Sequence, residues 1–447
     1  MESLWRKQTK EIRGRAQEAD VKLDRTTWDV IVIGAGMAGI LTAFYLQEAG
    51  KKVLVLEADR ICGGQTEGTT AKITSQHGIK YSTLIKSVGM EAARGYALAN
   101  EKAIREYEKL IKNREIDCQF ERRTAYLYSL REKNSLVVEK RAALSMGIDV
   151  VTEDKGELPF QVKGVIGFPN QAQFSPLKFA RNIAAELTIL ENCRVTELKE
   201  HLVIAEKKVF TAEKIVVATH YPIMDIPGFY FLRQHQSRSY VLALSGCKRI
   251  EGMYYGVDRE GLSFRQAGDH LLLGGASHRT GENKKGGAYE YLEEMARKYY
   301  PNCQVEAKWS AQDCMPHDGI PFIGKYSFFT PNIYVITGFQ KWGMTFSMIA
   351  ALILRDEIMG TENTFGKIFN PQRFHLKASL PHLLTDVGVN IKSLTKALFT
   401  DKPSCAHLGC KLEWNPDEQS WECPCHGSRY TGEGKLVDNP SVKDLEE

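Results

Sequence analysis

No stretch of this 447-residue chain is apolar for long enough to cross a bilayer: the longest run, Met348 to Leu354 with its flanks, falls far short of the roughly 20 residues a membrane helix needs. The N-terminus, MESLWRKQTKEIRGRAQEAD, lacks the apolar centre of a secretion signal. Charge of one sign is not in excess either. The 59 basic and 55 acidic residues leave +4, mixed along the chain without a basic tract, which argues against nucleic acid as a partner. A distributed disulfide framework is missing too. Of ten cysteines, four lie between Cys405 and Cys425, and the six scattered ones read as reduced, buried thiols. What is left is a soluble, cytoplasmic chain whose 43% hydrophobic content can bury a large core in two or three domains.

The chain is organised around Trp28 to Glu57. Asp29 to Ile33 is a short β-branched run, Gly34-x-Gly36-x-x-Gly39 follows at once, and Ala38, Leu41, Ala43 and Leu46 then recur at helical spacing. Gly50 closes the helix, Val53 to Leu56 form a second strand, and Glu57 stands 18 residues after the third glycine, placed to bond a ribose hydroxyl. The glycines permit a tight turn, close backbone approach to a pyrophosphate and tight helix-on-strand contact, while the helix N-terminus favours the anion. This strand, turn, helix and strand form a dinucleotide-binding unit.

Residues 1–27 read as a polar helical arm packed loosely on the body. Residues 91–112 carry a long amphipathic helix, and Cys118 to about Phe174 shows short alternating runs broken by Gly and Pro, the mark of antiparallel strands. Ser175-Pro176 opens a helix to Leu190, and Thr211 to Pro222 is a buried strand ending in a small-residue turn. Residues 229–310 hold further strands, among them Tyr240 to Leu244 and His270 to Gly274, with a helix near 287–299; a second, mixed sheet is implied. Asp318 to Gly324 and Asn332 to Phe339 lead into a helix starting near Gly343, whose N-terminus either faces a bound ring or completes the core.

The fingerprint together with GGQTEGTTAKIT, KIVVATH, HDGIPFIG and GFQKWGMTFSMIAALILRDEIMG resembles the FAD-dependent amine and amino-acid oxidoreductases of the glycine/D-amino-acid oxidase type, over roughly residues 28–370. The resemblance implies an α/β chain, α+β overall, with a doubly wound FAD-binding domain and an inserted mixed-sheet substrate domain from about 118–174 and 226–310. Carried over by position, Gly34, Gly36, Gly39, Glu57, Arg60, Thr66, Val195, Ala218, Gly338 and Thr345 line FAD, held noncovalently. Arg265 falls where that family often places an arginine near substrate or flavin; it is either a carboxylate clamp or a structural arginine. His77, Lys341 and Trp342 are further cavity candidates, though a structural place in the core is the first reading of each.

Cys405-x-His407-x-x-Cys410 and Cys423-x-Cys425-His426-x-Ser428-x-Tyr430, with 15 residues between His407 and Cys423, resemble the two boxes of a Rieske iron–sulfur domain; a Cys2His2 zinc site is the rival. The resemblance implies Cys405, His407, Cys423 and His426 as ligands of a 2Fe-2S cluster, a Cys410–Cys425 disulfide, and hydroxyls at Ser428 and Tyr430 that bond to sulfur. Residues 403–447 are short for such a domain. Residues 371–402 read as a linker, helical from His375 to Thr400, and the strands that usually precede the first box are missing. A Rieske oxygenase is excluded, since no Asp-x-x-His-x-x-x-x-His-like cluster is present.

The expected function is oxidation of a small amine or amino acid at the flavin, with electrons passing through the cluster to a protein, quinone or other acceptor. The alternatives are an oxygen-reducing oxidase with a structural cluster and a non-catalytic redox carrier or sensor.

Overall fold

The computed structural model describes residues 2–9, 11–15, 23–152, 156–205, 208–396 and 400–446. Val30 to Ile33 is buried on both faces, as a β-branched run at the centre of a parallel sheet must be. Thr27–Ile33 pairs in parallel with Val53–Leu56 on one side and Lys208–Val217 on the other. The full order is Phe322–Lys325, Ile333–Thr337, Lys208–Val217, Thr27–Ile33, Val53–Leu56, Ile189–Leu190, with a small hairpin added beside Lys208–Val217. The fingerprint helix Met37–Glu48 packs against the late helix Gly343–Ile358, so the first and last thirds of the oxidoreductase region share one core. Thr27–Ile33 and Lys208–Val217 end at the same edge, where Gly34 meets Ala218.

The second sheet runs Gln304–Pro316, Gln234–Ser245, His270–Arg279, Ser263–Ala267, Met253–Gly256, Glu121–Ser129, Gly164–Gln173, Lys72–Ile73. It is mixed, because Met253–Gly256 runs parallel to Glu121–Ser129 while its other pairings are antiparallel. Three sequence expectations need correction. Asn134–Ser145 is a helix inside the stretch read as strands; Val137, Val138 and Leu144 lie exposed on it, so its apolar residues are spread round the helix and give no clean stripe. The helix opened by Pro176 stops at Ala184, since Ile189–Leu190 is drawn in as a strand beside Val55–Leu56. The N-terminal segment is no loose arm: Leu4–Gln8 is one short helix, Trp5 is 1% exposed, and its indole donates to Thr69 O at 2.7 Å. The stretch 16–22 of that predicted arm lies outside the described residues.

The linker is a single helix, Leu376–Lys396, followed by four short antiparallel strands, Glu413–Asn415, Ser420–Glu422, Arg429–Tyr430 and Leu436–Asp438. Their own core is small, chiefly Leu412, Tyr430 and the box cysteines. The oxidoreductase body supplies the rest of the support. Arg238, fully buried, donates to Glu422 at 2.9 Å; Asn283 donates to Asp417 at 2.7 Å; Gln236 donates to His426 O at 2.8 Å.

Candidate functional site

A cavity of about 580 Å³ opens at the shared edge of the parallel strands and runs beneath the second sheet. Gly34 has φ +104°, and a Cβ there would stand 2.6 Å from Ala218 O, so only glycine lets the two strand ends close up. Gly36 is the helix N-cap and offers no side-chain cap, and a Cβ on it would meet only Thr66 Oγ1, at 3.3 Å. A polar, glycine-edged cradle is thus left at the positive end of the helix, which suits a pyrophosphate. Thr66 Oγ1 accepts from the Met37 N–H at 2.9 Å and fixes the loop over that end. Glu57 accepts from the N–H groups of Ala35 (2.7 Å) and Asp59 (2.9 Å). Burial raises its carboxyl, and those two donors pull it back. It faces the cavity with lone pairs to spare for a ribose.

Val195, Ala218 and Gly338 line the same cavity, as do Lys341 and Trp342. Gly39, Arg60, Thr345, His77 and Arg265 do not. Gly39 serves helix contact instead, since a Cβ there would fall 1.9 Å from Gly34 O. Arg60 points outward to Glu67 at 3.1 Å, and Thr345 is buried behind the wall against Thr74 O. Both nitrogens of His77 are engaged, by Tyr96 OH and Thr74 O at 2.7 Å each, and burial holds the ring neutral. Its face stacks on Trp342 at 4.6 Å, so it positions a cavity residue from behind. Arg265 is corrected most: it is 3% exposed, gives its hydrogens to the carbonyls of Thr70, Ala71, Phe174 and Gln266, and lies over Trp5. Turned to these carbonyls, its guanidinium does not reach the cavity.

Arg194, Arg238 and Arg429 line the cavity, and so do two lysines, Lys72 and Lys341. Lys72 donates to Tyr254 O at 3.1 Å and to Ser263 Oγ; burial, helped by Arg265, pushes its ammonium down to about 7. Lys341 donates to Ser277 at 2.8 Å and is likewise lowered by burial, with Asp313 on the same wall opposing the shift. Sequence reasoning missed Lys72, Asp313 and Tyr255. The only signal was a lysine inside an otherwise small and apolar strand, Lys72–Ile73.

The C-terminal boxes fold against each other. The thiols of Cys405 and Cys423 are hydrogen-bonded neighbours, Tyr430 OH stands 3.4 Å from Cys405 Sγ, and the rings of His407 and His426 lie 5.1 Å apart at 86°. Cys410–Cys425 is a disulfide. Both Nδ1 atoms, of His407 and His426, are buried with no partner, while their Nε2 atoms are occupied by Asp225 (2.7 Å) and Asn390 (3.5 Å). Two thiol sulfurs and two orphaned imidazole nitrogens fit a 2Fe-2S cluster with mixed ligation. Ser428 Oγ accepts from Ser441 N–H at 3.0 Å and remains beside Cys405.

Such a fold, with a dinucleotide cradle and paired Cys-x-His and Cys-x-x-His boxes, defines a flavin-dependent oxidoreductase that carries a Rieske centre. The profile of the family described as FAD dependent oxidoreductase matches residues 29–357, and that of the Rieske [2Fe-2S] domain matches residues 390–447. The chain belongs to the first family and ends in the second domain; its cofactors are FAD and a 2Fe-2S cluster. Its relatives include the putative Rieske 2Fe-2S iron-sulfur protein YhfW of Bacillus subtilis (strain 168), 33% identical over 94% of this chain and 93% of that one. Among solved structures it is similar to glycine oxidase from Geobacillus kaustophilus (TM-score 0.67, 17% identity, 78% of this chain and 99% of that chain). It is also similar to L-proline dehydrogenase from P. horikoshii (TM-score 0.64, 15% identity, 78% and 98%). No helix among the described residues is long and apolar enough to cross a membrane.

Proposed function

We propose that the chain oxidises a small amine or amino acid in the cavity and passes the electrons one at a time through the C-terminal cluster to an external acceptor, in the cytoplasm. The observation that carries this reading is a shared wall: Glu418, Arg429 and Asp438 of the cluster domain line the same cavity as Gly34, Gly36 and Trp342. Arg238, on that wall, is bonded to Glu422, the residue before Cys423. When bound, FAD supplies a two-electron acceptor and the cluster a one-electron carrier. The chain's own residues bind, orient and exclude water. In place of Arg265, the cavity lysines Lys72 and Lys341 can hold a substrate carboxylate, while Tyr255 and Trp342 supply apolar walls. Buried thiols at Cys62, Cys118 and Cys314 that form no disulfide fit a reducing compartment.

Anaerobic stopped-flow mixing with a panel of amines and amino acids tests the reading: flavin bleaching followed by cluster bleaching is expected. Flavin reduction with an unchanged cluster would favour an oxygen-reducing oxidase with a structural cluster. No flavin reduction across the panel would favour a redox carrier.

A further inference from the structure

The linker helix Leu376–Lys396 is turned inside out. Its polar residues Asp386 and Ser393 are buried, with Asn390 beside them against His426. Asp386 is gripped by Arg279 and by His317 at 2.7 Å, and Ser393 donates to Lys411 O at 3.3 Å. The face left outward carries Leu380, Leu384, Val387 and Ile391, spaced four, three and four residues apart and all exposed. A helix normally buries such a stripe.

Two neighbouring segments extend it. The helix packs on the turn Tyr230–Leu232, and that loop exposes Ile226, Phe229 and Leu232 while Asp225 holds ligand His407. The loop is tied through Met224 O and Tyr230 to Tyr326, at the foot of a hairpin turn whose Phe328 and Phe329 are 79% and 84% exposed. Phe374, just before the helix, is 80% exposed, and Arg373 beside it receives a contact from Arg233 of the loop. Three phenylalanines alone present roughly 400–500 Å² of apolar surface, already as much as the largest patch of a typical monomer.

The charges select what covers this face. Within residues 223–233, 325–333 and 374–396 the described side chains include three basic ones (Arg233, Lys325 and Lys392) and two acids, Asp225 and Asp386. Both acids are engaged inward, on His407 and on Arg279 with His317, whereas Lys325 and Lys392 are exposed. A self-complementary pairing of two copies would set like charge against like. Protruding phenylalanines with lysines alongside match the interface of an anionic bilayer.

We propose that this face seats the protein on the surface of an anionic lipid bilayer, with the linker helix lying in the plane of the headgroups and the His407 edge of the cluster domain turned towards it. The proposal stands apart from substrate and turnover. Flotation of full-length holoprotein with vesicles of phosphatidylcholine alone, or mixed with phosphatidylglycerol, tests it directly. Binding to the mixed vesicles only, weakened by salt, is expected. Phe329→Glu and, separately, Leu384→Glu should each cut the bound fraction tenfold or more while flavin and cluster spectra stay unchanged. Absence of flotation with anionic vesicles overturns the proposal. So does a dimer in light scattering that Leu384→Glu dissociates while the wild type fails to float, which would assign the face to a second copy.

Discussion

At the scale of single residues, the cavity's behaviour rests on a few side chains whose environment departs from the usual. Gly36→Val should yield protein without visible flavin absorbance, because the new side chain fills the cradle at the helix N-terminus. Glu57→Ala should weaken FAD binding by about 1.5–3 kcal/mol in a titration of apoprotein, the range of a charged hydrogen bond. Lys72 titrates near 7 when folded and near its ordinary value when unfolded. Between those values the unfolded chain binds the extra proton, so stability rises with pH and the cost of burying the ammonium is largest below 7. Wild type should therefore gain on Lys72→Met, in urea unfolding of holoprotein, by up to about 1.4 kcal/mol per pH unit across that window. The glycines and Glu57 were legible because each answers a local geometric demand. Lys72 and Arg265 were not: which of two cations four residues from a glycine turn reaches a cavity is decided by strand register and by Trp5, distant in the chain.

Elements were readable where one face is buried and unreadable where tertiary context overrides the pattern. The fingerprint helix and the helix from Gly343 begin where their glycines predict. The helix Asn134–Ser145 escaped because its apolar residues ring it, and the linker helix was legible as a helix while its orientation was not. Nothing local says that Asp386 goes in and Leu384 out; that follows from Arg279 and His317 on another domain. Against the opposing effect of burial, His235, His317 and Arg279 together hold the Asp386 carboxyl far below the usual range. A carboxyl so depressed adds stability above its unfolded value, near 4, and loses it as pH falls further. At neutral pH Asp386→Ala leaves a buried cation unpaired and should cost about 3–5 kcal/mol. Hydrogen exchange over residues 376–396 should rise in that variant while the flavin domain keeps its protection.

At the scale of the whole molecule, two domains share one cavity and one of them cannot stand alone. The four short strands bury too little apolar surface for independent stability, and metal binding there is also folding free energy. Cys423→Ser should abolish the cluster's iron and sulfide and its electron paramagnetic resonance signal. Limited proteolysis of that variant should then remove the C-terminal segment while residues 28–370 survive. An intact, protease-resistant C-terminus without iron would refute this. The sequence announced both domains through their motifs, yet the missing base strands gave no hint of what replaces them. Arg238, Gln236 and Asp225 do so, and none stands out in the chain. These supports all precede Cys405 in the order of synthesis, so the platform is complete when the ligand boxes leave the ribosome. Cells starved of iron should accordingly accumulate a yellow, flavin-loaded protein with a frayed tail, a form that fresh iron and sulfide convert to holoprotein without any new translation.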